Sequence, residues 1–334
     1  MEAPDWLIWL SAAALGFSVL SYVLLDGTDL GTGIWLGLTR DGTERRAMAL
    51  SILPIWDANE TWLVLGGGGL LALFPKAYAI LVPALYLPFI VMFTALIVRA
   101  MALEFRDEVS HPQAKRSVDA LHMVASVLAA ACQGVVLGTL VVGVPTQGGQ
   151  FSGTGWEWFN AFSLYSGAVL VLGYGWLGAC WLNWRCVGSL QQRARTVMAW
   201  LALVTLLLLA ALLLWTASLN PLYEERLSHH GLLAGAVGAT GILYTGFFLA
   251  LHRRRAFAPL CFALAVFAGA FLLMVLTLYP FIVPPVLTLT DAASSPASQR
   301  FMLVGFAVLM PLTLLYNTFG FRVFSGKVRP LADR

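Results

Sequence analysis

Apolar residues fall along this chain in nine long blocks, separated by short polar stretches. The blocks cover roughly residues 6–38, 50–74, 78–103, 117–142, 158–184, 196–219, 231–251, 257–283 and 301–324. About 20 apolar residues in an α-helix cross the roughly 30 Å of a bilayer's hydrocarbon. The pattern therefore predicts an all-α polytopic membrane protein, one integral-membrane domain over residues 1–334 with nine transmembrane helices. The helix count suggests two four-helix bundles plus one peripheral helix. No internal sequence repeat supports that grouping.

The polar stretches test the count. With the loops taken in alternation, only Lys76, Arg226 and Arg300 of the 20 Lys and Arg fall on one side. The rest fall on the other, which the positive-inside rule assigns to the cytoplasm. A missed or extra helix would scramble this division. The expectation is an N-terminus outside and a C-terminus in the cytoplasm. The stretch 146–158, free of Lys and Arg, then lies outside, with Trp156 and Trp158 at the interfacial aromatic belt. Pro280, Pro284 and Pro285 brake the eighth segment.

Composition agrees. The chain is 59% hydrophobic and 11% charged, against about 25% charged for an ordinary soluble domain. The net charge of +3 follows from topology and implies no partner. Nothing resembles a basic arm for nucleic acid. The acidic start Met1-Glu2-Ala3-Pro4-Asp5 lacks the basic region of a cleavable signal, so the first helix is expected to be retained. Cys132, Cys180, Cys186 and Cys261 form no CxxC pair and read as small buried residues.

Candidate chemistry concentrates in Trp56-Asp57-Ala58-Asn59-Glu60-Thr61-Trp62. Asp57 and Glu60 are three apart and share a helical face. An acid at the centre of a spanning helix costs about 2.5 kcal/mol or more, so such groups face protein or a watery path. Asp26 and Asp29, spaced alike in the first segment, approach from the adjacent antiparallel helix. The reading places Asp57 about seven residues into the second helix, with Glu60 one turn deeper. Both pairs then sit in the inner leaflet, with Asn59, Thr28, Thr32 and Thr61 as donors. This is the pattern of a proton path from the cytoplasm. The structural alternative has Asp26 and Asp57 bonding to helix ends without titrating, among Gly27, Gly31 and Gly33. Arg99 and Glu104 read as a solvated or interfacial pair. The run Gly66–Gly69 reads as close helix packing, or else as a loosened helix beside a cavity.

No histidine is placed in mid-helix. His111 and His122 fall in or near an inner loop, His229 and His230 at the outer start of the seventh helix, and His252 at its inner end. A bis-histidine haem clamp needs imidazoles at matching depth, so no haem or other metal is expected on this chain. A proton-coupled transporter also suits intramembrane acids and a glycine-interrupted helix. An odd helix count and the lack of a second broken segment fit it poorly. A purely structural membrane scaffold is a third reading.

The motifs bear a family likeness. Leu25-Asp26-Gly27-Thr28-Asp29-Leu30-Gly31, Thr43-Glu44-Arg45-Arg46, Ile55 to Trp62, Phe74-Pro75, Tyr279-Pro280-Phe281, Asp291 to Pro296 and Phe324 to Val328 occur in order along the chain. In this the chain resembles subunit II of the cytochrome bd quinol oxidases. Its compact length looks most like the cyanide-insensitive branch. The resemblance implies a bacterial inner-membrane heterodimer that oxidises quinol and reduces oxygen to water. Subunit I would carry two haems b, haem d and the quinol site. This chain would bind no haem, pack pseudosymmetrically on subunit I and supply the cytoplasmic end of a proton path. Asp57 is the matching acid, and Asp26, Asp29 and Asn59 also fall within the motifs. Glu60 has no fixed role in the family. Trp56, Trp62, Gly27 and Gly31 carry the motifs structurally. Some members hold a structural quinone, and a small single-helix third subunit is common.

Overall fold

A computed structural model describes residues 4–228, 230–324 and 326–328, with the side chain of His230 left aside. His229, Ser325 and the last residues of the expected cytoplasmic C-terminus lie outside this description. Among the described residues the chain is mainly helical, with two short hairpins and short loops between the helices. In order, the first helices are α1 (Asp5–Leu38), α2 (Gly42–Ile52), α3 (Trp56–Leu73), α4 (Pro75–Ala84), α5 (Tyr86–Glu104) and α6 (Pro112–Val142). The hairpin β1 (Thr146–Gln147) and β2 (Gln150–Phe151) follows. Then come α7 (Ala161–Arg185), α8 (Gly188–Leu219), α9 (Pro221–Ser228), α10 (His230–His252) and α11 (Ala258–Leu278). The second hairpin is β3 (Phe281–Val283) and β4 (Leu287–Thr288). Helices α12 (Leu289–Ala292) and α13 (Pro296–Val323) end the chain.

Among the described residues, eight helices are long and apolar enough to cross a membrane: α1, α5, α6, α7, α8, α10, α11 and α13. The missing member of the expected nine is α3. It has 18 residues, about 27 Å of helix, but opens with Asp57, Asn59 and Glu60, which lower its hydropathy. The expected continuous helix over 50–74 is broken. Residues 50–52 belong to α2, and the chain turns through Leu53–Ile55 before α3 begins. Pro54 explains the break, because proline disfavours a helical residue before it and removes a donor. The third segment likewise divides into α4 and α5 at Leu85, between Pro83 and Pro88. The eighth ends at Leu278 rather than at residue 283. Beyond it Phe281 pairs with Thr288, and Val283 with Leu287.

Helix α1 is the hub and packs on α3, α6, α7 and α13. One group consists of α1, α3, α5 and α6. A second consists of α7, α8, α10 and α11, and α7 joins them by packing on both α1 and α6. Helix α13 lies outside, against α3 and α1. Because α7 packs as closely on α6 and α1 as on α8, the helices do not separate into the two independent four-helix bundles that were expected. The α1–α7 crossing is set by glycine. A Cβ at Gly31 would collide with the Tyr174 carbonyl, and one at Gly27 would lie 2.6 Å from Tyr174 Cε1. Small residues let helix backbones meet where no hydrophobic force draws helices together in lipid.

The Gly66–Gly69 run stays helical. A Cβ at Gly69 would meet Phe306 Cζ of α13 at 2.8 Å, whereas Gly67 and Gly68 have open space. The packing reading thus holds for half the run. At the Arg-rich end, Asp119 of α6 lies 2.7 Å from Arg45 Nε of α2 and 2.6 Å from Arg106 Nε. All three are buried, and they tie α2 and the α5–α6 turn to the bundle.

Candidate functional site: the Arg99 acid cluster

Tyr22, Asp26, Asp29 and Gly33 follow one another at helical spacing along one face of α1. Asp26 and Asp29 are fully buried. Facing them is Arg99 of α5, whose side chain is 1% exposed. Arg99 Nη1 stands 2.9 Å from Asp26 Oδ1, and Nη2 pairs with Glu60 Oε1 of α3. Asn59, the residue before Glu60 on α3, donates from Nδ2 to Asp29 Oδ2 at 2.7 Å. The Trp56 ring lies 5.9 Å from the guanidinium carbon, and its Nε1 donates to Glu104 Oε1 at 3.0 Å. Trp62 is fully buried one turn above, edge-on to Phe17 at 5.6 Å. Behind Arg99, its own backbone carbonyl bonds His122 Nδ1 at 3.1 Å.

Three carboxyl groups thus face one guanidinium. The cluster is neutral only when it holds two protons. An uncompensated charge in such a place is costly, so proton number and structure are linked here. Glu60 is the member in touch with the outside, with a quarter of its side chain exposed.

Several expected placements change. Asp57 is not seven residues deep. It lies in the first turn of α3 and is exposed, because the helix starts at Trp56. Its side chain lies near the positive end of the helix but makes no capping hydrogen bond there, so the helix-end bonding expected in the structural alternative is not seen for Asp57. Arg99 and Glu104 do not pair with each other: Arg99 belongs to the acids, and Glu104 accepts from Trp56. The threonines do not reach the carboxylates. Thr28 donates to the Leu25 carbonyl, Thr32 to that of Thr28, and Thr61 to that of Asp57. Asn59 alone of the expected donors serves an acid.

Sequence reasoning gave Arg99 no central role, although a lone arginine within an apolar segment was a legible sign. His122, expected near a loop, lies inside α6 and is 2% exposed. A Cβ at Gly33 would sit 2.7 Å from its Nε2. With one nitrogen on a carbonyl and the other packed on α1, His122 has no room to ligate a haem iron. His111 and His252 are exposed on the surface. Among the described residues, no group of three or more His, Cys, Asp or Glu could hold a metal ion.

The family model for cytochrome bd terminal oxidase subunit II matches residues 7–324. The chain belongs to that family. It is 27% identical to the cytochrome bd-I ubiquinol oxidase subunit 2 of Escherichia coli, an alignment covering 98% of this chain and 96% of that protein. It is 32% identical to cytochrome bd ubiquinol oxidase subunit 2 of Bacillus subtilis over 57% of this chain and 55% of that one. The solved bd oxidase of Geobacillus thermodenitrificans shares the fold, with a TM-score of 0.75 at 18% identity. That match covers 95% of this chain and 98% of the solved one. Family membership makes the protein a multi-pass membrane subunit of a bd-type terminal oxidase, an oxidoreductase that works with a partner subunit. It also sets aside the transporter reading.

Proposed function

We propose that this chain is the haem-free subunit of a quinol-oxidising bd oxidase in the bacterial inner membrane, and that the Arg99 cluster takes up protons from the cytoplasm. The observation that carries the reading is the convergence of Asp26, Asp29 and Glu60 on a single buried arginine, with only Glu60 open to the outside. The partner subunit would hold two haems b and haem d, and oxygen reduction there consumes protons. In this chain Asp57 and Glu60 meet protons at the rim. Glu60 then shares them with Asp26 and Asp29 around Arg99, while Asn59 holds Asp29 in place. Water is kept from the remainder of the cluster by Trp56 and Trp62. The charge distribution of the loops supports a cytoplasmic rim, with α3 counted as the ninth span and α4–α5 as one broken span.

The reading carries a heterodimer with subunit I, a small single-helix third subunit, and a quinone or lipid held in the assembly. Its test is turnover of the assembled oxidase. Glu60→Gln is expected to lower quinol-driven oxygen consumption by roughly tenfold or more, since a positioned proton-transfer group contributes at least that much. Asp57→Asn lowers it less. In both, the reduced-minus-oxidised haem spectrum stays intact. Full activity in Glu60→Gln with normal haem content would remove the cluster from the proton path.

A further inference from the structure

A basic corner at the inner end of the second group of helices plays no part in the reading above. Between Glu157 and Glu224, and again between Glu225 and Asp291, the chain has no Asp or Glu. Six arginines fall at the two inner turns within these stretches. Arg185, Arg193 and Arg195 lie where α7 passes into α8, and Arg253, Arg254 and Arg255 lie between α10 and α11. Among the described residues only Arg193 of the six pairs with an acid, Glu44 of α2.

Exposed arginines on an inner loop need no further cause, since topology selects them. Arg185 is different. It is the last residue of α7 and is 4% exposed. Its guanidinium carbon lies 5.5 Å from the Trp181 ring and 5.4 Å from the Trp184 ring. Its buried Nε has no hydrogen-bond partner. Aromatic faces attract a cation but carry no net charge to cancel it, and a buried charge without a counter-charge is costly.

Two further cations meet at the same helix end, held by neutral groups. Lys327 Nζ donates to the carbonyls of Asn183 and Cys186, each at 3.1 Å. Arg195 Nε donates to Asn183 Oδ1 at 2.9 Å, and its Nη2 to the Arg254 carbonyl at 3.4 Å. The backbone N–H of Val328 bonds the Arg185 carbonyl at 2.7 Å, which fixes Lys327 against the end of α7. Partial burial holds the Lys327 ammonium below the usual lysine range; Cys186 opposes this, and the charges of Arg195 and Arg185 add to it. An ammonium has three donors and a guanidinium five, so both cations keep donors beyond these bonds. Beside the corner the surface turns apolar. The Trp184 ring packs on Phe257 at 4.7 Å between centroids, and Phe257, half exposed, leads into the apolar surface of α11.

We propose that Arg185, Arg195 and Lys327 bind the phosphodiester headgroup of an anionic phospholipid of the inner leaflet. The phosphate supplies the counter-charge that Arg185 lacks among the described residues, and guanidinium groups suit phosphate oxygens. Acyl chains then lie along the apolar surface past Trp184 and Phe257. Basic pockets between spanning helices on the cytoplasmic side hold such headgroups in membrane proteins generally. A free phosphate offers the same oxygens and makes no use of the apolar rim. The proposal uses the inner-end placement drawn from the loop charges and is independent of proton uptake.

The test strips the assembled oxidase of lipid by detergent exchange. It is then titrated with phosphatidylglycerol or phosphatidylcholine of matched acyl chains, and lipid bound per complex is counted by native mass spectrometry. The wild type is expected to bind phosphatidylglycerol about tenfold more tightly. Arg185→Gln is expected to remove that preference, and Arg195→Gln and Lys327→Gln to lower affinity about fivefold each. Arg116→Gln, which removes an exposed cation at the inner end of α6, is expected to change it less than about twofold, since it lies outside the corner. No preference in the wild type, or an undiminished one in Arg185→Gln, would overturn the proposal. So would an Arg116→Gln loss as large as that of Arg185→Gln, the mark of general attraction to a basic face. Radiolabelled inorganic phosphate is expected not to bind in equilibrium dialysis, and binding as tight as that of the phospholipid would overturn the lipid assignment. If Arg185→Gln fails to assemble, Lys327→Gln, an exposed position, decides by the same criteria. Bound lipid is read apart from oxygen consumption, so failure here leaves the proton-uptake reading standing.

Discussion

Arg99 carries one charge and faces three acids, and its removal is the severest single change at this site. Arg99→Leu leaves Asp26 buried without its partner, a loss that typically costs about 3–5 kcal/mol. The expected outcome is little assembled oxidase in the membrane, seen as loss of the haem spectrum rather than slowed turnover. Asp41 offers a milder case outside the membrane. As N-cap of α2 it accepts from the backbone N–H groups of Thr43 and Glu44. The side-chain and backbone hydrogen bonds from Thr43 hold its carboxyl below the usual carboxylate range. A depressed carboxyl contributes stability that is present above its unfolded pKa of about 3.9 and lost as pH falls through the folded value. Protection of the Thr43 and Glu44 amides, taken relative to exchange in the unfolded chain, is therefore expected to hold at neutral pH and to fall in acid. Asp41→Ala should reduce the protection of these amides at neutral pH, by weakening the cap by about 1 kcal/mol, with less further effect in acid, where the carboxylate's contribution is already lost.

Among the elements, the α1–α7 crossing is the joint on which the site depends. The face of α1 that carries Asp26 and Asp29 is oriented by Gly27 and Gly31 on its other side. Gly31→Ala would push the helices apart and move both acids away from Arg99. It is expected to abolish assembly. Gly67→Ala is the control: nothing stands within 4 Å of an added Cβ, and alanine favours a helix over glycine by roughly 1 kcal/mol. Assembly and thermal midpoint are expected to be unchanged or raised. Both glycines lie in helices and look alike in the sequence. What separates them is the neighbour each meets, and no periodicity reports that. The break before α3 was legible in Pro54, and with it the exposed position of Asp57. A long apolar run outweighed that single residue in the reading of 50–74.

For the whole molecule, the loop charges predict an orientation that labelling can check. In a Cys261→Ser background, Gln150→Cys in the β1–β2 hairpin should react with an impermeant thiol reagent applied to the outer face of the membrane. Arg116→Cys at the start of α6 should react only once the inner face is opened. The reverse pattern would invert the cluster and place its rim on the wrong side for cytoplasmic uptake. Much of the apolar surface of α8, α10 and α13 is exposed in the single chain, with Leu214 at 74% and Phe301 at 82%. Such faces suit lipid and a partner subunit, and this is the surface a heterodimer can draw on.

The sequence by itself determined the class of the protein, its apolar stretches, the uneven division of its charges between alternate loops and the stretches that hold its acids. These follow from local regularities: hydropathy over about 20 residues, charge counted loop by loop, and acids that are costly inside a bilayer. It also displayed the family motifs. Only the tertiary structure decided which charges meet. Arg99 lies about 70 residues from Asp26 and about 40 from Glu60 along the chain, yet its long side chain joins both because α5 and α1 pack on α6 and α3 packs on α1. Burial is a property of three-dimensional contact. Asp57, which the sequence placed well inside a helix, is exposed, and the arginine that seemed solvated lies at the centre of the site.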